Sequence, residues 1–257
     1  MSTISLELKG LDLSSTRRVP VSRLVRVELR KMADTRAGMW LLIGIAVLVG
    51  VVSTVFMITA DQPDRTFVKL IAAAAIPQMM LLPVLGILLV TSEWTQRTAL
   101  VSFTLEPVRM RVVVAKVIAA LVFGVAAVLV TVVVGAALTL IGGNEVAWNG
   151  AGVEAIGRLA LVQEVMVLRG LAFGLVILNS AGALATYFIL PTAVSLLTTA
   201  WKALHDVAPW INFDAGILLQ GVPVSSEQWA QFGVTILIWM ALPFAAGLFR
   251  VMRKEVK

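Results

Sequence analysis

LALVQEVMVLRGLAFGLVILNSAGALATYFILPTAVSLLTTA, residues 159–200, runs for 42 residues with only two charges, Glu164 and Arg169. The hydrocarbon core of a bilayer is about 30 Å thick and is crossed by about 20 helical residues. At about 1.5 Å of rise per residue this run would extend about 63 Å, so it must fold back on itself. The strongest break within it is Asn179-Ser180, followed by Gly182, residues suited to starting a new helix. The run therefore reads as two crossings, 159–178 and 181–200.

Outward from that hairpin, four more segments reach crossing length: 39–59, 70–92, 117–141 and 230–249. None carries a charge, although the second is punctuated by Pro77, Gln78 and Pro83. The whole chain is 59% hydrophobic and 14% charged, against about half and about a quarter in an average soluble domain. The expected fold class is all-α: a polytopic membrane protein with six transmembrane helices. The first span reads as a retained anchor, because its apolar run exceeds the 7 to 15 residues of a signal peptide and Ile58 spoils the cleavage pattern before Asp61.

Six crossings put both termini on one side, and the cations test that. Eight lie in the amino-terminal arm (Lys9, Arg17, Arg18, Arg23, Arg26, Arg30, Lys31, Arg36), four after span two (Arg97, Arg109, Arg111, Lys116) and four in the tail (Arg250, Arg253, Lys254, Lys257). These are sixteen of the twenty-one, whereas the opposite side holds Arg65, Lys69, Arg158 and Lys202. The positive-inside rule then places both termini in the cytoplasm. Trp40, Trp94, Trp201 and Trp229 fall at span ends, the level that indole rings prefer, and Trp239 alone sits mid-span.

Composition also excludes chemistry. With no cysteine, disulfides and thiolate sites are ruled out, and the single histidine, His205, reads as an ordinary loop residue. The net charge of +6 is accounted for by topology rather than nucleic acid. Phosphate-loop, zinc-protease and nucleophile-elbow motifs do not occur, so the chain carries no enzyme signature and no cofactor site of its own.

The segments between spans are patterned. Residues 1–20 read as a flexible cytoplasmic arm. From 21 to 36 the helical period gathers Val21, Leu24, Val25, Leu29 and Met32 on one face and Arg23, Arg26, Arg30 and Asp34 opposite, a basic amphipathic helix for the inner membrane surface. Glu28 falls within the apolar face, where a carboxylate needs a cation, a protein contact or the headgroup level. The cytoplasmic loop 93–116 has a short apolar stretch inside charged flanks, stopped by Pro107, which fits a surface helix facing a partner protein. The outer loop 201–229 holds fragments too short to cross, suited to an interfacial cap or to covering a pathway.

Within the spans, Glu164 and Arg169 stand about 140° apart around one helix, so they do not form the usual i, i+4 pair. Two readings remain: partners on other helices in a pathway or latch, or a span that starts later, leaving Glu164 among headgroups while Arg169 snorkels outward. Gly170-x-x-x-Gly174 just below allows close helix packing.

Three stretches carry a family resemblance. E-L-R-K-M-A-D-T-R at 28–36 resembles the interfacial elbow helix of the membrane (permease) subunits of type-2 ATP-binding-cassette (ABC) transporters, mostly exporters. S-E-W-T-Q-R-T at 92–98 with E-P-V-R-M-R-V-V-V-A-K at 106–116 resembles that family's cytoplasmic coupling region. L-N-S-A-G-A at 178–183 is similar to its inner turn between spans four and five, except that Leu178 stands where the family often has a basic residue. The likeness spans the chain in span order and loop lengths.

The resemblance implies a permease of the cell membrane, bacterial in type, that exports a substrate as a dimer with a second permease copy or homologue. ATP and Mg would be bound and hydrolysed in separate ATPase subunits. It places Glu28, Arg30, Arg36, Glu93, Gln96, Arg97, Thr98, Glu106 and Arg109 near the docked ATPase. Two rivals are an ion-coupled carrier using Glu164 and Arg169, and a membrane scaffold without transport activity.

Overall fold

The computed structural model describes residues 19–142 and 146–254. Most of the amino-terminal arm, with Lys9, Arg17 and Arg18, and the tail residue Lys257 lie outside the described residues. Among the described residues there are helices and no strands, and six helical segments are long and apolar enough to cross a membrane. The chain is a multi-pass membrane protein.

The amphipathic segment folds as α1 (Val21–Asp34). Thr35 then leaves the helical region and its hydroxyl accepts from the Gly38 amide, capping α2 (Arg36–Thr59), the first span. The corner needs glycine: a β-carbon on Gly38 would stand 2.0 Å from the Met32 carbonyl oxygen. The second span, α3 (Phe67–Thr95), runs through Pro77 and Pro83 without breaking, since neighbouring helices tolerate such interruptions inside a membrane bundle. The segment after α3 forms a short helix, α4 (Ala99–Leu105).

Span three is α5 (Arg109–Gly142), which begins eight residues before the expected 117. Those two turns add about 12 Å of rise, so Arg109, Arg111 and Lys116 project from the inner end of a continuous helix rather than from a loop. The expected loop 93–116 is correspondingly reduced to α4 and two short turns.

The opening hairpin is α6 (Val153–Ile177) and α7 (Ser180–Ala200). Leu178 turns the chain with a left-handed φ of 56°, and Asn179 caps α7 by accepting from the Gly182 amide at 2.9 Å. The outer segment carries a short helix, α8 (Ala208–Ile211). The last span starts at α9 (Ser226–Ile236) behind a Ser225/Gln228 capping box, passes through a π-turn at Leu237–Ala241 and ends as α10 (Leu242–Arg253).

α6 is the central helix, packed against α3, α5, α7 and α10. The α3–α6 contact is tight because a β-carbon on Gly170 would stand 2.1 Å from the Pro83 carbonyl oxygen. In its most apolar window α6 is 67% buried, whereas α2 and α7 are each 17% buried. α2 and α7 thus form the outside of the bundle and present mostly apolar side chains such as Val51, Val55, Ile189 and Leu196.

Candidate functional site

The inner end of the bundle holds a group of four charges, of which Glu28, Glu93 and Lys116 are buried and Lys31 is half-buried. Lys116 of α5 sits 2.7 Å from Glu28 of α1 and 3.1 Å from Glu93 of α3. Lys31 of α1 closes the ring, 2.8 Å from Glu28 and paired with Glu93. Lys116 also donates to the Leu89 carbonyl at 2.9 Å, and the Ser102 hydroxyl of α4 donates to Glu93 at 2.9 Å. Two lysines against two glutamates give no net charge, and every carboxylate oxygen of the ring is engaged.

That balance makes burial tolerable, because a buried charge is costly only when unpaired or short of hydrogen bonds. Burial opposes the charge on Lys31, but Glu28 and Glu93 outweigh it and hold the ammonium above its ordinary value of 10.5. Physically, the ring ties α1, α3, α4 and α5 together, so a displacement of α4 is carried into the last turn of α3 and the early turns of α5.

Around the ring the remaining inner cations close the bundle. Arg109 donates to the Val251 and Lys254 carbonyls at 2.6 Å each, capping α10, and its guanidinium lies 5.1 Å from the Phe103 ring. Arg111 pairs with Glu106 at 2.7 Å and also donates to the Val19 carbonyl. Beside the ring, a cavity of about 660 Å³ opens between α1 and α4, where Leu24, Val27, Val101 and Leu105 line it together with Glu28, Lys31 and Glu93 of the ring.

The nine residues expected at the ATPase surface therefore divide. Arg30, Arg36, Gln96, Arg97 and Thr98 are exposed. Glu28, Glu93 and Glu106 are buried in ion pairs within the chain, and Arg109 is half-buried and occupied with α10. Those four hold the inner platform together instead of facing outward: α1 packs against α5 and α2 and carries Glu28 inward with its buried Met32. Lys31 and Lys116 were legible only as topology charges. The misplaced carboxylate of Glu28 was the available signal that a buried cation must exist.

Deeper in the bundle lies a second polar region. Gln78 of α3 donates to the Ala127 carbonyl at 3.1 Å and accepts from Thr131 of α5 at 2.7 Å and from Gln163 of α6. Glu164 and Arg169 do not meet each other. Both carboxylate oxygens of Glu164 are enclosed without a hydrogen-bond partner, facing Gly124 of α5. Arg169 is 5% exposed and lies 4.5 Å from the Phe213 ring, 4.7 Å from Tyr187 and 5.7 Å from Trp239.

α6 starts earlier than expected, at Val153, and both side chains are enclosed by protein. That start puts Glu164 eleven residues, about 16 Å of rise, below the outer end. Arg169 does not snorkel; three aromatic faces hold it. Trp239 is fixed by donating to the Ile211 carbonyl at 2.6 Å, so the outer segment reaches the middle of the bundle through Ile211 and Phe213. His205 lies in the same segment, exposed, 3.1 Å from the Thr199 carbonyl.

No family model matches the sequence, and no curated protein matches it either.

Proposed function

We propose that the chain is the permease subunit of an ABC transporter, exporter-like, that forms a transmembrane pathway with a second copy or homologue in a bacterial cell membrane. ATP hydrolysis would be supplied by separate nucleotide-binding subunits docked on its inner face. The observation that carries this reading is the inner platform: an elbow helix and a short loop helix locked to the inner turns of two spans by a neutral ring of four charges, three of them buried. Such a platform suits transmission of force from a partner protein into the bundle. α4 offers that partner an apolar face, with Leu100, Val101 and Leu105 exposed beside the exposed Gln96 and Arg97.

Purification from native membrane in mild detergent should recover an ATPase subunit with the intact chain; repeated recovery of the chain without one would sink the proposal. Arg97→Glu should leave insertion and folding intact while lowering transport per ATP hydrolysed, because Arg97 is exposed. Arg109 is a poor test residue, since reversing its charge would also uncap α10.

A second reading is an ion-coupled carrier, favoured by Glu164 and Arg169, which lack a counter-ion among the described residues. Transport that collapses with an ionophore but survives ATP depletion would select it.

A further inference from the structure

We propose that Glu164 is a proton-binding site within the bilayer: a carboxylic acid held neutral at the α5–α6 contact, able to release its proton only when those helices separate. The proposal stands on the geometry of unpaired acceptors. Both carboxylate oxygens of Glu164 are enclosed without a partner, and so is Oε1 of the neighbouring Gln163, a residue that is fully buried. Three acceptor oxygens on successive residues face no donor. A carboxylate in that position would carry a full charge with nothing to balance it, and such groups neutralise instead. Taking up a proton removes the charge and turns one of the three acceptors into a donor.

No neighbouring charge supplies an alternative. From α3 the facing polar group is Gln78, and from α5 they are Gly124, which bears no side chain, and the Thr131 hydroxyl. α7 brings Tyr187 to the far side of α6, where it covers Arg169. The charges of α10, Arg250 and Arg253, belong to its inner end, with Arg250 donating to the Val176 carbonyl. Lys116 lies eight residues, about 12 Å of rise, from Gly124 along α5 and is committed to Glu28 and Glu93. Arg169 is committed to three rings on another face of α6.

Gly124 is what makes the site. A β-carbon there would stand 2.6 Å from both carboxylate oxygens, so the acid fills the space that a side chain on α5 would take. A metal cation is a poorer occupant, because among the described residues no group of three His, Cys, Asp or Glu side chains comes together. The inference is independent of which energy source drives the protein.

Dicyclohexylcarbodiimide, a membrane-soluble reagent, tests it on the full chain in lipid. The acid's oxygen adds to the central carbodiimide carbon while its proton moves to nitrogen. The acylisourea then rearranges to a stable acylurea, with nothing lost. Peptide mass mapping should find one reagent mass on Glu164, with none in Glu164→Gln, and a yield that falls as pH rises. Gly124→Ser, which crowds the acid and offers it a hydroxyl donor, should cut the yield several-fold while the chain still inserts. Absence of the adduct in folded protein, a pH-independent yield, or protection by sodium at constant pH would each overturn the proposal, the last by making the site a metal-cation site.

Discussion

Lys116 is the residue on which the inner platform turns, because it alone contacts Glu28, Glu93 and a backbone carbonyl at once. Removing one member of a buried ion pair strands the other and costs about 3 to 5 kcal/mol, whereas removing both can be nearly neutral. Lys116→Met should therefore lower the unfolding temperature sharply. Glu28→Gln added to it should recover much of the loss, since Lys31 and Glu93 then remain as a balanced pair. Additive losses in a double-mutant cycle would count against a cooperative ring. Lys31 gives the pH counterpart. Its folded value lies above 10.5, so its contribution is complete below that pH and declines only as pH rises through the folded value. The stability difference between the protein and Lys31→Met should stay level from neutral pH up to about 10.5 and shrink above it; a decline near neutrality would contradict the pairing. In the sequence, Glu28 was legible as a carboxylate in need of a cation. Its partner was not, because the two lie 88 positions apart and no local pattern links them.

At the scale of elements, the fold turns on how closely α6 approaches its neighbours. A β-carbon on Gly170 meets backbone of α3, which cannot swing aside as a side-chain tip would. Gly170→Ala should destabilise the bundle by about 1 to 3 kcal/mol, the usual range for overpacking. Gly233→Ala, where the space is open, should be neutral or stabilise α9 by up to about 1 kcal/mol. Equal effects in thermal unfolding would mean that the α3–α6 contact is looser than described. The existence of each crossing could be read from uncharged runs, because a bilayer demands about 20 apolar residues wherever it is crossed. The ends could not. α5 continues for two turns beyond the apolar run because its charges find partners in α1, α3 and α10, and α6 starts early because Arg158 pairs with Glu154 and donates to the Val222 carbonyl at 2.7 Å. The turn at Asn179 was legible, since capping is local. The reach of Phe213 and Ile211 into the middle of the bundle was not, since it depends on a tertiary contact with Trp239.

For the whole molecule, the distribution of cations and the bundle's architecture make one joint prediction about direction. α1, α4, the start of α5 and the end of α10 share one end of the bundle, linked by the Lys116 ring and by Arg109. The connection before α3 and the segment before α9 share the other, where Gly221 lies against Val68. The positive-inside rule assigns the first end to the cytoplasm. The chain has no cysteine, so single cysteines can report each side without background. Thr104→Cys on α4 and Glu227→Cys on α9 replace exposed residues at opposite ends. In right-side-out membrane vesicles an impermeant maleimide should label the cysteine at position 227 at once and the one at 104 only after permeabilisation, with the order reversed in inverted vesicles. Labelling of both from one side would mean an even number of crossings between them, where the fold has three, and break the six-span count. The opposite order would keep the fold but turn it over, placing the ring and the exposed face of α4 outside the cell, where no ATPase could supply ATP-driven motion. The same pair of variants thus tests the crossing number and the premise of the proposed function separately.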